Sequence, residues 1–339
     1  MGNLIAYSAL ATKVRAMERW KLKESQFEEM AALETVPQAV EYLRKNPVYA
    51  DIFSGLGDEE LHRGNIERQL RLAQYRDFTK LYTFANMRQR RFLDMYFMHY
   101  ELQILKTGLR NAAGRPGERQ DLSGFREFFE RHSKLDLVRL SQCRTMDQFI
   151  SGLSGSPYYQ PLAAMQQKGR VTLPDCENVL DMVYFKSVWR IKKHFLKGKE
   201  RRIIEQCFGT RMDMLNLQWI YRSKKYYSLT PAQICALLIP IRLHLTKSQT
   251  ARLAGAESIE SFCGMLKDTW YGRTGELKLS QEPDLEQAAR EINDRIYQMT
   301  SRAEPYSIAA LNSHLYFKER ELERITTTLE RIRYGVSAG

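Results

Sequence analysis

The sequence lacks the motifs on which most catalytic mechanisms depend. It contains no G-x-x-x-x-G-K-[ST] phosphate loop, no H-E-x-x-H, no G-x-S-x-G, and no G-x-G-x-x-G after a strand pattern. It also has no aspartate-rich motif that could hold magnesium in a helical prenyl-transfer enzyme. These absences argue against nucleotide hydrolysis, helix-borne zinc chemistry and serine catalysis. We therefore expect no catalytic residue, no metal site and no cofactor.

Cysteine and long apolar runs are scarce as well. The five cysteines lie far apart, without a C-x-x-C pair, at positions Cys143, Cys176, Cys207, Cys235 and Cys263. This spacing predicts reduced thiols inside helices rather than disulfides or a zinc knuckle. The most apolar stretch, Ile234–Leu245, is interrupted by Pro240 and Arg242 and is shorter than the roughly 20 residues of a bilayer span. We expect no transmembrane helix.

The small numbers of glycine and proline exclude a disordered or collagenous chain. There are 19 Gly and 10 Pro in 339 residues, whereas 43% of the residues are hydrophobic and 27% are charged. The excess of 52 Lys and Arg over 40 Asp and Glu gives a net charge of +12, which suits an acidic partner, a nucleic acid or an anionic membrane. Basic clusters at residues 88–91, 192–202 and 222–225 are either solvated helix faces or docking patches.

Helical periodicity dominates what is present. Apolar residues at spacings of three and four form a seam at Leu180, Tyr184, Val188, Ile191 and Phe195. A second such seam comprises Leu315, Leu322, Ile325, Leu329 and Ile332. No run of alternating residues bounded by turn signals indicates a strand. The sequence therefore predicts an all-α fold.

An internal repeat organises the chain. Residues 35–49 align without a gap on residues 145–159, with five identities in fifteen positions and a constant offset of 110. A weaker third copy starts at Ser258 and reaches Tyr271 one residue early and without the proline. The offset also relates Glu67 to Glu177. Three diverged helical units are indicated.

The shared part of the repeat has the chemistry of a helix start. Thr35 with Gln38, like Thr145 with Gln148, predicts a capping box in which both side chains accept hydrogen bonds from free backbone amides. A proline two residues before Tyr49, and again two residues before Tyr159, disfavours helical geometry at the preceding residue and ends the short helix. We interpret the tyrosines Tyr49, Tyr158 and Tyr159 as packing residues rather than a recognition surface.

A second repeated element and two linkers set the predicted domain boundaries. The segment 101–105 returns as 216–220, with a trace near Glu323. The stretch 111–117 is rich in turn residues, and Thr230 followed by a proline restarts a helix. The predicted units are therefore residues 1–110, 111–225 and 226–339.

The repeated pieces, taken in order, resemble the C subunit of V-type ATPases, including the archaeal and bacterial A/V-type enzymes, whose vacuolar counterpart is the d subunit. The segments that carry the resemblance are Tyr7–Met17, Pro47–Tyr49, Glu177–Tyr184, Asp213–Lys224 and Lys318–Ile325. They are spread over essentially the whole chain.

The resemblance implies a fold and a role. The fold is an all-helical funnel of three similar domains around a pseudo-threefold axis. The role is that of a non-catalytic rotor subunit, peripheral on the cytoplasmic face of the membrane, which joins the axle of the D and F subunits to the membrane proteolipid ring and transmits torque. Packed, capped helices suit this role because they make a stiff body. No catalytic residue is carried over from the family.

Four basic residues at similar places in the repeats are candidate contacts with the axle or the ring. They are Arg15, Arg110, Arg222 and Lys225. The alternative for each is an intramolecular contact at a helix end. The alternative for the whole chain is a basic helical-repeat protein that binds nucleic acid through phosphate contacts, which the net charge and the lysine-rich stretch 192–202 motivate.

Overall fold

The computed structural model describes residues 2–114, 122–167, 172–227, 229–275, 277 and 284–335, and these residues fold into 18 α-helices without a strand. The first six helices are α1 (Gly2–Glu18), α2 (Glu24–Ala31), α3 (Val36–Arg44), α4 (Pro47–Phe53), α5 (Arg63–Phe84) and α6 (Met87–Ala112). The next six are α7 (Arg126–His132), α8 (Leu137–Ser141), α9 (Met146–Gly152), α10 (Tyr159–Gln167), α11 (Leu173–Phe195) and α12 (Gly198–Arg222). The last six are α13 (Pro231–Leu237), α14 (Lys247–Ala254), α15 (Ile259–Lys267), α16 (Trp270–Arg273), α17 (Leu285–Ala303) and α18 (Ile308–Arg333). The predicted all-α class is confirmed.

Six long helices form three helical hairpins. The pairs α5–α6, α11–α12 and α17–α18 are joined by the short connections 85–86, 196–197 and 304–307. A group of short helices precedes each hairpin along the chain, and the three groups are α2–α4, α7–α10 and α13–α16. The long helices thus provide the frame of the molecule and the short helices cover it.

The three hairpin connections lie together at one end of the molecule. Glu200, at the start of α12, accepts a hydrogen bond from Tyr7 Oη at 2.5 Å and pairs with Arg88 at 2.7 Å, which links the first two connections. Lys199 pairs with Glu304 at 2.9 Å and links the second connection to the third. We call this the hairpin end, and the other end of the long helices the opposite end.

The predicted helix caps are confirmed. Thr35 and Thr145 have nearly identical extended backbone angles (φ −133° in both), and each hydroxyl accepts a hydrogen bond from the backbone amide three residues later. Gln38 and Gln148 reach one residue further back than expected, because each accepts, at 3.2 Å, from the amide that precedes the threonine. Ser258 caps α15 in the third unit. A local hydrogen-bonding pattern therefore starts the same short helix three times.

The second group of short helices packs against the long helix before it and the long helix after it, and the third group contacts the long helix before it, α12, through α13. In the second group α8 and α9 contact α6, while α10 contacts α11. The first group breaks the chain order: α4 contacts α5, but α2 and α3 pack against α18 at the far end of the sequence. Their core cluster spans residues 22–73 and is completed by Leu322, Ile325 and Leu329. The last helix therefore closes the first unit.

The predicted domain boundaries near residues 110 and 225 fall at the C-terminal ends of α6 and α12. They separate each of these helices from short helices that pack on it, since α6 contacts α8 and α9. Residues 115–117 of the predicted linker lie outside the described residues. The three-domain division stays a prediction.

One glycine is required by close packing between a long and a short helix. A Cβ atom added at Gly108 on α6 would lie 2.3 Å from the carbonyl oxygen of Leu140 on α8, a distance that no real side chain tolerates. The two backbones approach this closely because glycine has no side chain. Their contact fixes the second group of short helices on its long helix.

Three further expectations concern cysteines, membrane-spanning helices and metal ligands. All five cysteines are free thiols. Four of them are buried, but Cys235 on α13 is exposed and Cys143 lies between α8 and α9, so the expectation of thiols inside helices holds for part of the set only. None of the helices within the described ranges is long and apolar enough to cross a membrane. The described residues also contain no group of three or more His, Cys, Asp and Glu side chains able to hold a metal ion.

Candidate functional site

A buried tyrosine and a carboxylate recur where each capped short helix meets a long helix. The carboxylates lie near the middle of α6, α12 and α18 and are Glu101, Asp213 and Glu321. The tyrosines follow the capped helices and are Tyr158, Tyr271 and Tyr49, each at most 2% exposed. The packing interpretation of Tyr49 and Tyr158 is confirmed, whereas Tyr159 is half-buried. We call these three places the junctions.

Asp213 makes the most complete junction. Its carboxylate accepts hydrogen bonds from the backbone amides of Leu243, His244 and Leu245, the shortest at 2.8 Å, and from Tyr271 Oη at 2.9 Å. Burial raises the pKa of Asp213, and these four donors oppose the rise. The fully buried carboxylate thereby holds the extended chain that leads into α14.

Glu321 plays the same part between the two termini of the chain. It accepts from the backbone amide of Leu22 at 2.7 Å, just before α2, and pairs with Lys318 at 3.1 Å. Lys318 Nζ also donates to Tyr49 Oη at 3.0 Å and lies 3.9 Å from Asp77. Since all of these groups are buried, this ionic cluster fastens the first short helices to the last helix.

Glu101 makes the sparsest junction. It accepts from Ser133 Oγ at 2.6 Å, directly after α7. Tyr158 Oη lies near Glu101, and burial together with this carboxylate raises the pKa of the tyrosine, but the hydroxyl makes no hydrogen bond to the described residues. These contacts make Asp213, rather than Asn216, the counterpart of Glu101. Asn216 instead exchanges two hydrogen bonds with the backbone of Ile239.

Three different side chains occupy the positions two residues before the junction carboxylates. They are His99 on α6, Arg211 on α12 and Glu319 on α18, and we call them the central cluster. His99 Nε2 lies 3.6 Å from Glu319 Oε2, and their side chains are 15% and 11% exposed. Tyrosines surround the cluster at Tyr96, Tyr184, Tyr297 and Tyr316. The helices α6, α12 and α18, which we call the inner helices, thus meet around a polar centre.

Burial shifts both titrating groups of the central cluster toward their neutral forms. Burial raises the pKa of Glu319 to about 7, although Arg211 opposes the rise. Burial, together with Arg211 and Lys106, lowers the pKa of His99 to about 3. His99 is therefore neutral at physiological pH, whereas Glu319 titrates close to it.

Two cavities open on either side of Glu319. One of about 270 Å³ is lined by Arg211 and Arg222, and one of about 540 Å³ by His99 and Arg110. Both are also lined by Glu319 and Glu323 on α18. Charged side chains of both signs therefore line the recesses between the inner helices.

Arg110 and Arg222 occupy matching places at the opposite end. Arg110 near the end of α6 pairs with Glu177 at 2.6 Å, and Arg222 at the end of α12 pairs with Glu286. Each partner lies in the first turns of the following long helix. About half of each arginine side chain is exposed, which leaves the guanidinium within reach of another molecule.

The other two candidate residues lie apart from this pair. Lys225 donates to Tyr221 Oη at 3.3 Å and shares with Arg222 a depression of about 280 Å³ at the opposite end. Arg15 lies at the hairpin end, where it donates to Tyr306 Oη at 3.3 Å and its guanidinium covers the same ring. The structure thus brings three candidates to one end and separates Arg15 from them.

Sequence reasoning missed the central cluster because its three positions hold three different residues. A repeat search depends on identity or similarity, and histidine, arginine and glutamate share neither. The available signal was the spacing, since each member precedes a junction carboxylate by two residues. This spacing can be recognised only after the structure has identified the junction carboxylates.

Comparison with known proteins places the chain in a family. The sequence model of the ATP synthase (C/AC39) subunit family matches residues 10–339. The C subunit of the A-type ATP synthase of Thermococcus kodakarensis is 24% identical over 342 residues, covering 97% of this chain and 87% of the relative. The corresponding protein of a Desulfurococcus species is 23% identical, with 97% and 88% coverage. This chain therefore belongs to the ATP synthase (C/AC39) subunit family, as the sequence resemblance predicted.

Proposed function

We propose that the chain is a non-catalytic subunit of the central rotor of an A/V-type ATP synthase or ATPase. In this role it joins an axle of D and F subunits to the proteolipid ring and carries torque between ATP turnover and ion transport at the cytoplasmic face of the membrane. The observation that carries the proposal is the family match over residues 10–339, which accounts for nearly all of the chain.

Features of the body support this role. A torque-carrying part must twist little under load, and densely packed interiors transmit strain rather than absorb it. One hydrophobic core extends from α1 to α18, and a buried ionic junction at Glu321 fastens the beginning of the chain to its end. This contact resists separation of the first short helices from the last helix.

We assign the axle contact to the opposite end and its cavities. Arg110, Arg222 and Lys225 lie there, and the two recesses on either side of Glu319 present charges of both signs. A protein partner of mixed charge can exchange these exposed intramolecular pairs for pairs with itself at small cost, since exposed ion pairs contribute only about 0–1 kcal/mol. The funnel shape and threefold arrangement are part of this proposal.

The test is co-purification from gently solubilised membranes, followed by mass spectrometry and assays of ATP-driven ion transport. The tagged chain should recover the proteolipid, D and F subunits. The double variant Arg110→Glu/Arg222→Glu should lose D and F and uncouple ATP hydrolysis from transport. Arg252→Glu, which reverses the charge of an exposed arginine on α14, is the matched control.

Two results would contradict the proposal. Recovery of no ATPase subunit would remove the rotor role. Steeply salt-dependent binding of arbitrary nucleic acid by the pure chain, without ATPase subunits in the cell, would favour the nucleic-acid-binding alternative.

A further inference from the structure

Four exposed apolar side chains gather at the hairpin end. Leu4 and Ile5 on the first turns of α1 are 51% and 76% exposed, and Phe84 and Met87 at the first hairpin connection are 51% and 77% exposed. The backbone carbonyl of Ala6 accepts hydrogen bonds from Gln89 and Asn86, which fixes the start of α1 beside that connection. Lys13 Nζ lies 5.1 Å from the centre of the Phe84 ring.

This concentration is unusual for the molecule. Nine large hydrophobic side chains are exposed among the described residues, and the other five are Trp20, Tyr226, Tyr227, Met299 and Tyr334. Most of those carry a polar atom on an aromatic ring, whereas the four at the hairpin end are entirely aliphatic, thioether or phenyl. A cluster of this kind on a surface marks a contact with another apolar phase or molecule.

Exposed cations surround the apolar cluster. They come from the basic clusters around the first two hairpin connections and are Arg88, Arg90, Arg91, Lys193, Lys197, Lys199 and Arg202. Two of these seven cations pair with acidic groups of the hairpin end, since Arg88 pairs with Glu200 and Lys199 pairs with Glu304. The hairpin end therefore carries a net positive charge around an apolar centre.

We propose that the hairpin end binds the surface of an anionic lipid bilayer, with Leu4, Ile5, Phe84 and Met87 entering the headgroup region and the surrounding cations contacting lipid phosphates. Stable binding to a membrane surface requires two signals, and an apolar insertion combined with a basic patch supplies both. The inference goes beyond the proposed rotor role, because it concerns the affinity of the pure chain for lipid.

Charge complementarity favours lipid over a protein as the occupant. A protein partner complementary to this surface needs an apolar recess bordered by acidic residues at two separate hairpin connections. A bilayer of anionic lipids has negatively charged headgroups above an apolar interior over its whole surface. It can therefore contact both basic clusters regardless of the distance between them. The long helices then hold the opposite end away from the membrane.

Flotation of the full-length chain with lipid vesicles tests the inference. Vesicles of equal parts phosphatidylglycerol and phosphatidylcholine should carry the wild type, with binding that weakens as salt is added. The double variant Ile5→Asp/Met87→Asp should bind roughly tenfold more weakly, because it removes apolar insertion and adds negative charge. The matched control is Tyr227→Asp/Tyr334→Asp, which makes the same change at exposed positions of the opposite end.

Retention of binding by the control together with its loss in the hairpin-end variant supports the inference. It is overturned if the wild type does not float with anionic vesicles at low salt, if pure phosphatidylcholine binds equally well, or if the two double variants behave alike. Binding of the hairpin end to a detergent-solubilised proteolipid ring without vesicle binding also overturns it and identifies a protein partner instead. Circular dichroism spectra that match the wild type show that the variants are folded.

Discussion

The junctions and the central cluster lie two residues apart on the same three helices, yet they follow opposite rules. At the junctions similar chemistry occurs three times: Glu101, Asp213 and Glu321 each accept hydrogen bonds from a segment that lies before or between short helices. At the centre three different residues face one another. The repeated residues are therefore the ones that hold the fold together, and the residues that differ lie where the three units are no longer equivalent.

Physical chemistry explains the contrast. Each junction solves the same kind of problem, because the segments before and between short helices carry poorly solvated hydrogen-bond donors that need acceptors. A carboxylate supplies the acceptor in every copy, for three backbone amides at Asp213, one at Glu321 and a side-chain hydroxyl at Glu101. At the centre three copies of one charged residue would repel one another in a poorly solvated site, so the combination of histidine, arginine and glutamate is favoured.

Removal of the Asp213 carboxylate should have the largest effect. Asp213→Ala leaves three backbone amides and Tyr271 Oη without their acceptor in a buried site, and we expect a loss of about 4 kcal/mol of unfolding free energy. Glu101→Ala, which removes the acceptor of one side-chain hydroxyl, should cost about 1–2 kcal/mol. Urea denaturation of both variants measures the difference. Equal losses would contradict the ranking of the junctions.

The central cluster should reveal itself through pH. The pKa of Glu319, raised from 4.5 to about 7, means that the folded state binds the proton more tightly, so this group lowers stability as pH rises through that range. Glu319→Gln removes this loss. Relative to wild type the variant should gain up to about 3 kcal/mol between pH 4.5 and 7.

His99 gives the opposite sign and serves as the control. Its pKa, lowered from 6.5 to about 3, means that the folded state resists protonation, so stability is lost as pH falls below 6.5. His99→Gln should therefore gain on the wild type toward acid, not toward neutral pH. Urea denaturation midpoints at a series of pH values test both predictions. Parallel plots of midpoint against pH for the wild type, Glu319→Gln and His99→Gln would show that the cluster does not titrate in this way.

The tyrosine hydroxyls offer a finer comparison between junctions. Tyr271→Phe should cost about 1–2 kcal/mol, because Asp213 loses one of its donors in a buried site. Tyr158→Phe should change stability by less than about 0.5 kcal/mol, since its hydroxyl donates to none of the described residues. Thermal unfolding of the pair measures this. A larger loss at Tyr158 would show a hydrogen bond to Glu101 that the structure does not contain.

The sequence predicted the parts of the fold that depend on neighbouring residues. The caps at Thr35 and Thr145 act on amides within the same turn, so a short pattern defines them. The junctions join residues far apart in the chain, and their carboxylates follow no constant offset and change between glutamate and aspartate. The closure of the first unit by α18 was also hidden, because a linear repeat places the last helix in the last unit. Pairing across such distances is decided by the tertiary fold.

A small effect on stability is also expected at the opposite end, where the three repeats meet a partner in the proposed assembly. Arg110→Ala and Arg222→Ala each break an ion pair that is about half exposed, and water and salt screen such pairs, so each loss should stay below about 1 kcal/mol. Urea denaturation tests this with Arg252→Ala, an exposed arginine of α14, as the control. The measurement distinguishes a structural residue from a partner contact. An unchanged urea midpoint combined with weaker recovery of D and F from membranes indicates that the arginines act in the interface. A loss of several kcal/mol of unfolding free energy would show that they stabilise the fold, as the junction residues do.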